Sequence, residues 1–204
     1  MARTGRRLIA AFTAITSLSA CLGETDMVSR ADTAISGALS TSSAPADAGA
    51  DRERRMNVYL TGYSYWDNTP PGSAAISKPV VHRKAGGKGT YDDPVTIAVG
   101  HVIEGGRQTL DYPPGTRFYI EKLKKYAIVE DVCGDGNNPQ DGPCHTGYNG
   151  LPWLDLYIGG SKANSRITTS CARQITAVQP IIMHPEDDYP VLAGDVVESH
   201  CNAG

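Results

Sequence analysis

The stretch AIVEDVCGDGNNPQDGPCH, residues 127–145, decides how the chain is read. An apolar run ends in the acids Glu130 and Asp131. Cys133 follows at once, and a loop of Gly, Asp, Asn and Pro leads to Cys144. As a calcium loop it fails: Asp135, Asn137 and Asp141 loosely mimic ligand spacing, but Pro139 stands where an oxygen is needed and no bidentate Glu closes the loop. The better reading is a buried strand that delivers Asp131 to a rim, followed by an excursion stapled by cysteines.

Working outward, short apolar runs alternate with Gly and Pro turns: MNVYLTGYSYW from Met56, VTIAVGHVI, TRFYIEKL, WLDLYIGG and QPIIMHP. They are rich in Val, Ile and Tyr, as half-buried or buried strands are. ANSRITTSCARQI, about 163–175, is the one good helix candidate. With YAIVEDV this makes six short strands and one or two short helices. A small closed barrel is expected, because closure removes exposed strand edges. GGKGTY, 86–91, lacks phosphate-loop spacing and reads as a tight turn.

The N-terminus reads as an export signal. MARTGRR is basic, and LIAAFTAITSLSA is apolar but too short to span a bilayer. It ends in Leu18-Ser19-Ala20-Cys21, which looks like a bacterial lipobox with Cys21 as the lipidated residue; an ordinary signal peptide cleaved nearby is the alternative. Residues 1–21 are therefore assigned to the signal with its lipobox, and residues 22–55, poor in apolar side chains, to a flexible tether. Residues 56–204 form the domain. The protein is expected to be exported and membrane-anchored through lipid alone, facing the periplasm or cell surface, or else secreted.

Setting Cys21 aside leaves four cysteines, an even number suited to an oxidising compartment. They allow three pairings. Cys133–Cys144 closes a short loop and leaves Cys171–Cys201. No zinc-type spacing occurs, and neither metal nor cofactor is expected. The net charge of −3 in 204 residues, without a basic block, speaks against nucleic acid. The chain is read as a monomer.

Three carboxylates are candidates for chemistry. Asp131 ends a strand. Asp155 lies in WLDLYI, on the opposite face from Leu154 and Leu156, so it must meet solvent, a partner or a cleft. Asp67 follows Tyr63-Ser64-Tyr65-Trp66. Aromatic side chains beside carboxylates suit sugar rings, and glycosidic cleavage needs an acid of raised pKa with a second carboxylate. A strand-end Asp more often caps a turn, and an aromatic run more often packs. Tyr65, Trp66, Tyr91, His101 and Trp153 are the candidate substrate contacts, and His145 follows Cys144 with the same potential.

VTIAVG, PPGTRFYI, YAIVEDVCGDG and LDLYIGG, taken in order, resemble the double-psi β-barrel superfamily, nearest the bacterial three-aspartate domain. The likeness covers roughly residues 58–199. The superfamily includes membrane-bound lytic transglycosylase A, rare lipoprotein A, expansins, barwin-like proteins and family-45 endoglucanases. It implies a six-stranded double-psi barrel acting on cell-wall polysaccharide, peptidoglycan or another glycan. Asp131 and Asp155 match the second and third Asp of the three-aspartate pattern, the third being the acid of the transglycosylase. Tyr65-Trp66-Asp67 is similar to the endoglucanase Y-W-D, whose Asp is the base. Two departures stand out: Gly100-His101 replaces the first Asp, and Trp153-Leu154 replaces the His-Phe before the acid. The resemblance therefore implies a glycosidase or lytic transglycosylase, with a non-catalytic expansin- or barwin-like binding module as the alternative.

Overall fold

The structure is a computed structural model that describes residues 52–203. The expected signal peptide, Cys21 and most of the expected 22–55 tether lie outside the described residues. Strand β1 spans Arg54–Tyr63, two residues earlier than the expected domain start at Met56. It is followed by β2 (Val95–Val99), β3 (His101–Glu104), β4 (Arg107–Leu110), β5 (Arg117–Ile120) and β6 (Lys125–Val132). After a 3₁₀ turn at Pro139–Asp141 come helix α1 (Pro143–Thr146), β7 (Trp153–Tyr157), α2 (Ser165–Ile175) and β8 (Ala177–Met183).

Six strands close a barrel in the order β1-β7-β2-β6-β5-β8, with β8 returning to β1. All six were expected from their apolar runs. The pairs β1/β7 and β2/β6 are parallel and the others antiparallel. In β1, Val58 and Leu60 are buried while Arg55 and Asn57 face water, the alternation of a strand with one wet face. Every residue of β2 is buried, as befits a strand flanked on both edges and covered on both sides.

The expected strand VTIAVGHVI is cut at Gly100. Beyond it, β3 and β4 form a separate two-stranded hairpin turned by Gly105 and Gly106. A Cβ on Gly100 would lie 2.4 Å from Asp111 Oδ2 and 2.5 Å from the His145 nitrogen, so only a glycine lets these segments meet. The 86–91 turn has Gly87 and Gly89 at positive φ, the backbone freedom anticipated for it.

Helix α2 begins at Asn164, whose side chain accepts from the Ile167 amide at 3.0 Å, an N-cap. Thr168, Cys171 and Ile175 are its buried residues, spaced to share one face. That face packs on β1 at Gly62, where an added Cβ would stand 2.6 Å from Ile175 Cδ1 and 2.9 Å from Ile158 Cγ2. Gly62→Ala is therefore expected to lower stability by about 1–3 kcal/mol through overpacking. An unchanged midpoint in urea denaturation would show that Ile175 repacks freely.

Two disulfides form, Cys133–Cys144 and Cys171–Cys201. The second ties the C-terminal segment, whose Val196 and Val197 are buried, to α2. No described helix is long and apolar enough to cross a membrane.

Candidate active site

The site is built by one row of residues across four neighbouring strands. Asp131 of β6 pairs with Ala98 of β2, Ala98 with Asp155 of β7, and Asp155 with Thr61 of β1. The two acids are thus separated by two strand spacings, roughly 10 Å between backbones. The small Ala98 between them leaves space above the sheet.

A bulge sets the row. The register of β2 against β6 runs from Ile97↔Val129 to Ala98↔Asp131, so Glu130 has no partner. The extra residue bends the strand and re-aims its side chains. Glu130 is 0 % exposed and turns to the 80–96 segment. Its Oε1 accepts from the amides of Val80, Val81 and His82 at 3.2, 2.6 and 2.8 Å. Its Oε2 meets His82 Nδ1 at 2.7 Å and the Thr96 hydroxyl at 3.1 Å. Burial alone would push the Glu130 carboxyl up, but the amide and imidazole of His82 and the Val81 amide hold it below its ordinary value.

Asp67, Asp131, Asp135 and Asp155 line one cleft of about 280 Å³. Cys133, Gly134, Asp135, Pro143 and Cys144 are one wall, so the stapled excursion of residues 133–144 shapes the cleft directly. Trp153, Asn68 and Thr69 line it elsewhere.

The carboxylates are held differently. Asp131 accepts from the amides of Ser77 and Val132 through Oδ1, at 3.0 and 2.9 Å, and from the Tyr63 hydroxyl through Oδ2 at 3.0 Å. Burial and the charge of Asp131 push the Tyr63 phenol well above its ordinary value, which keeps it a donor. Asp67 Oδ1 accepts both the amide and the hydroxyl of Ser64 at 2.6 Å. Asp155 Oδ1 accepts the Thr61 hydroxyl at 2.6 Å, and Thr61 Oγ1 in turn accepts from Trp153 Nε1 at 2.7 Å. Burial, reinforced by the charges of Asp67, Asp135 and Asp131, pushes the Asp155 carboxyl up to about 7 despite the Thr61 hydrogen bond. A carboxyl so placed is protonated at mildly acid pH and can donate.

The candidate substrate contacts divide. Trp153 lines the cleft. Trp66 is 40 % exposed next to Asp67 in sequence, and its Nε1 donates to the carbonyls of Gly160 and Ala163 at 3.0 and 2.9 Å. Tyr65 packs edge-on against Trp66, and neither ring lines the cleft. Tyr91 is not brought to the cleft. It lies beneath the Arg117 guanidinium, 4.6 Å from the ring centroid, and lines a different cavity with Arg117 and His184. His101 is not brought to the cleft either; it is 5 % exposed, and its Nδ1 has no partner among the described residues.

Three features of the site and its surroundings escape sequence reasoning. Thr61 orients Asp155 across a parallel strand pair. Tyr59 stacks on Tyr148 at 4.2 Å and meets Trp153 edge-on at 4.7 Å. Asp111, ten residues beyond the hairpin's first residue, places Oδ2 where a side chain on residue 100 would begin, so the hairpin brings a carboxylate back to the position where the sequence shows none. Among the described residues, no group of three or more His, Cys, Asp or Glu side chains converges so as to hold a metal ion.

Comparison with known proteins adds a family. The model of the DDB_G0273701 N-terminal domain matches residues 55–202. A Dictyostelium discoideum protein named "Uncharacterized protein DDB_G0273701/DDB_G0273221" is 34 % identical over 140 residues, covering 68 % of this chain and 55 % of that protein. The chain thus spans about half the length of that relative. No solved structure matches.

Proposed function

The chain belongs to the DDB_G0273701 N-terminal domain family, and we propose that it is an exported protein that cleaves or remodels glycosidic bonds in a cell-wall polysaccharide. The observation that carries this reading is the cleft that joins Asp155, at about 7, with Asp67 and Asp131. A carboxyl that holds its proton, set beside a second carboxyl group, is the pairing that glycoside cleavage needs.

In this reading Asp155 protonates the leaving oxygen. The hydroxyl of Thr61, steered by Trp153, fixes which carboxyl oxygen is engaged and leaves Oδ2, which has no partner among the described residues, to face the substrate. Asp67 has Oδ1 tied to Ser64, which leaves its other oxygen to activate water or to stabilise positive charge on the sugar. Asp131, bonded through both oxygens, serves as a fixed negative charge. The two parallel strand pairs, each joining segments far apart in the chain, support a double-psi assignment for the barrel. Lipid on Cys21 with the 22–55 tether would keep the domain near a cell envelope.

A non-catalytic, expansin- or barwin-like binder is the second reading. It is favoured by the full engagement of Asp131, both of whose oxygens are already hydrogen-bonded within the protein. Incubation with peptidoglycan and with cellulose, followed by mass spectrometry of the products, separates the cases. New reducing ends indicate hydrolysis, and anhydro ends indicate lytic transglycosylation. An intact polymer that nevertheless binds the protein would sink the enzymatic reading.

A further inference from the structure

The cleft has a neighbour. A second cavity of about 340 Å³ is lined by Asp111, Tyr112, His145, Thr146, Leu151 and Pro152, among others, and it shares Cys144 and Trp153 with the acidic cleft. Both shared residues are anchored. Cys144 is held by its disulfide to Cys133, and Trp153 by its hydrogen bond to Thr61. The two cavities are therefore neighbours, with Cys144 and Trp153 in the wall between them.

The second cavity contains an oriented imidazole. His145 Nδ1 lies 2.6 Å from Asp111 Oδ1, and Nε2 has no partner among the described residues. The His145 side chain is one-third exposed. A carboxylate on Nδ1 fixes the ring and its tautomer, as in other Asp–His pairs, and leaves Nε2 to meet a ligand. Among the residues lining the two cavities, His145 is the only one that can carry positive charge, whereas five are Asp. Such a lining disfavours polyanions and suits a hydroxyl-rich, uncharged chain.

We propose that the His145–Asp111 pair forms a second sugar subsite, so that an uncharged glycan chain occupies both cavities with His145 Nε2 on a hydroxyl of the distal unit. This rests on the glycan reading of the acidic cleft and deepens it. His145 is here a specificity-determining contact: it rewards chain length and uncharged substituents, while the reacting bond lies over Asp155.

The test measures equilibrium binding by isothermal calorimetry to the full chain carrying Asp155→Asn, so that ligands stay intact. The probes are a disaccharide and a hexasaccharide of β-1,4-linked N-acetylglucosamine and of glucose, with hexagalacturonate as the anionic control. For the better-bound neutral series, the hexasaccharide is expected to bind at least 10-fold more tightly than the disaccharide. Adding His145→Ala is expected to bring that ratio close to one. Hexagalacturonate is expected to bind at least 10-fold more weakly than the neutral hexasaccharide. The ratio between two ligands on one protein sample is insensitive to a misfolded fraction. A length ratio near one in the presence of His145, or a ratio that survives His145→Ala, overturns the subsite and leaves the acidic-cleft reading standing. Equal binding of hexagalacturonate overturns the preference for uncharged chains. If none of the sugars binds, the glycan reading itself falls, and the subsite with it.

Discussion

Replacing Asp155 by Asn is expected to make the protein more stable at alkaline pH and, if the chain cleaves glycans as proposed, to lower that cleavage by about 10²- to 10⁴-fold, the usual contribution of a positioned acid. Both effects come from the same burial. Asparagine preserves the volume and can still accept from Thr61, but it cannot deliver a proton. In the unfolded chain an Asp releases its proton near its ordinary value of about 4. In the folded chain Asp155 holds it to about 7. Between those values the folded state binds more protons than the unfolded state, so stability falls as pH rises through the window. At pH 8 the wild-type fold carries a fully ionised, partly buried carboxylate, and Asp155→Asn is expected to gain about 1–3 kcal/mol there after discounting for solvent contact. At pH 4 the gain should shrink to near zero. Urea denaturation of both proteins at pH 4 and pH 8 measures this, and a pH-independent difference would contradict the raised pKa. Wild-type activity should decline above about pH 7 as the acid ionises. Equal activity of the two proteins would remove Asp155 from the mechanism.

Glu130→Ala is expected to be the most destabilising single change, at about 3–5 kcal/mol. It would strip three backbone amides, the Thr96 hydroxyl and the His82 imidazole of their common acceptor. His82 would be left with Asp93, 2.9 Å from its Nε2. Removing a buried acceptor leaves the donors without either protein or water, and that loss exceeds the net worth of the bonds themselves. The segment from Val80 to His82 would then lose its side-chain anchor on the barrel, although the Lys78 amide keeps its bond to the backbone carbonyl of residue 130. Urea denaturation monitored by tryptophan fluorescence reads the loss. A change below about 1 kcal/mol would show that the segment finds other partners.

These two acids, on strands β7 and β6 that flank β2, mark how far local pattern carries. Asp155 was legible because Leu154 and Leu156 flank it: strand alternation puts the acid on the face opposite the core whatever the fold. Glu130 was not legible. In YAIVED both acids end an apolar run, and alternation alone would send one of them out to solvent. The bulge between Ile97 and Ala98 breaks that alternation, and it exists only because β2 lies beside β6. The same limit explains Tyr91 and His101. Tyr91 sits in a Gly-rich turn beside other polar residues, yet its neighbour in space is Arg117, and no spacing along the chain reports that. His101 follows a buried strand, but the hairpin that begins there carries it into the interior.

The sequence by itself determined what depends on near neighbours in the chain. It marked the six barrel strands, because period-two and fully apolar runs between Gly and Pro turns have few other ways to be buried. It marked the stapled loop after Asp131 and the face of β7 that carries Asp155. The tertiary structure alone decided which of these features meet. Parallel pairing of β1 with β7 put Thr61 against Asp155, closure of the barrel brought Asp67 to the same cleft, and the β3–β4 hairpin carried Asp111 back to Gly100 and His145. Those encounters join residues tens of positions apart. Their energies arise from burial and hydrogen bonds that form only when the barrel closes, so they leave no periodic trace in the chain.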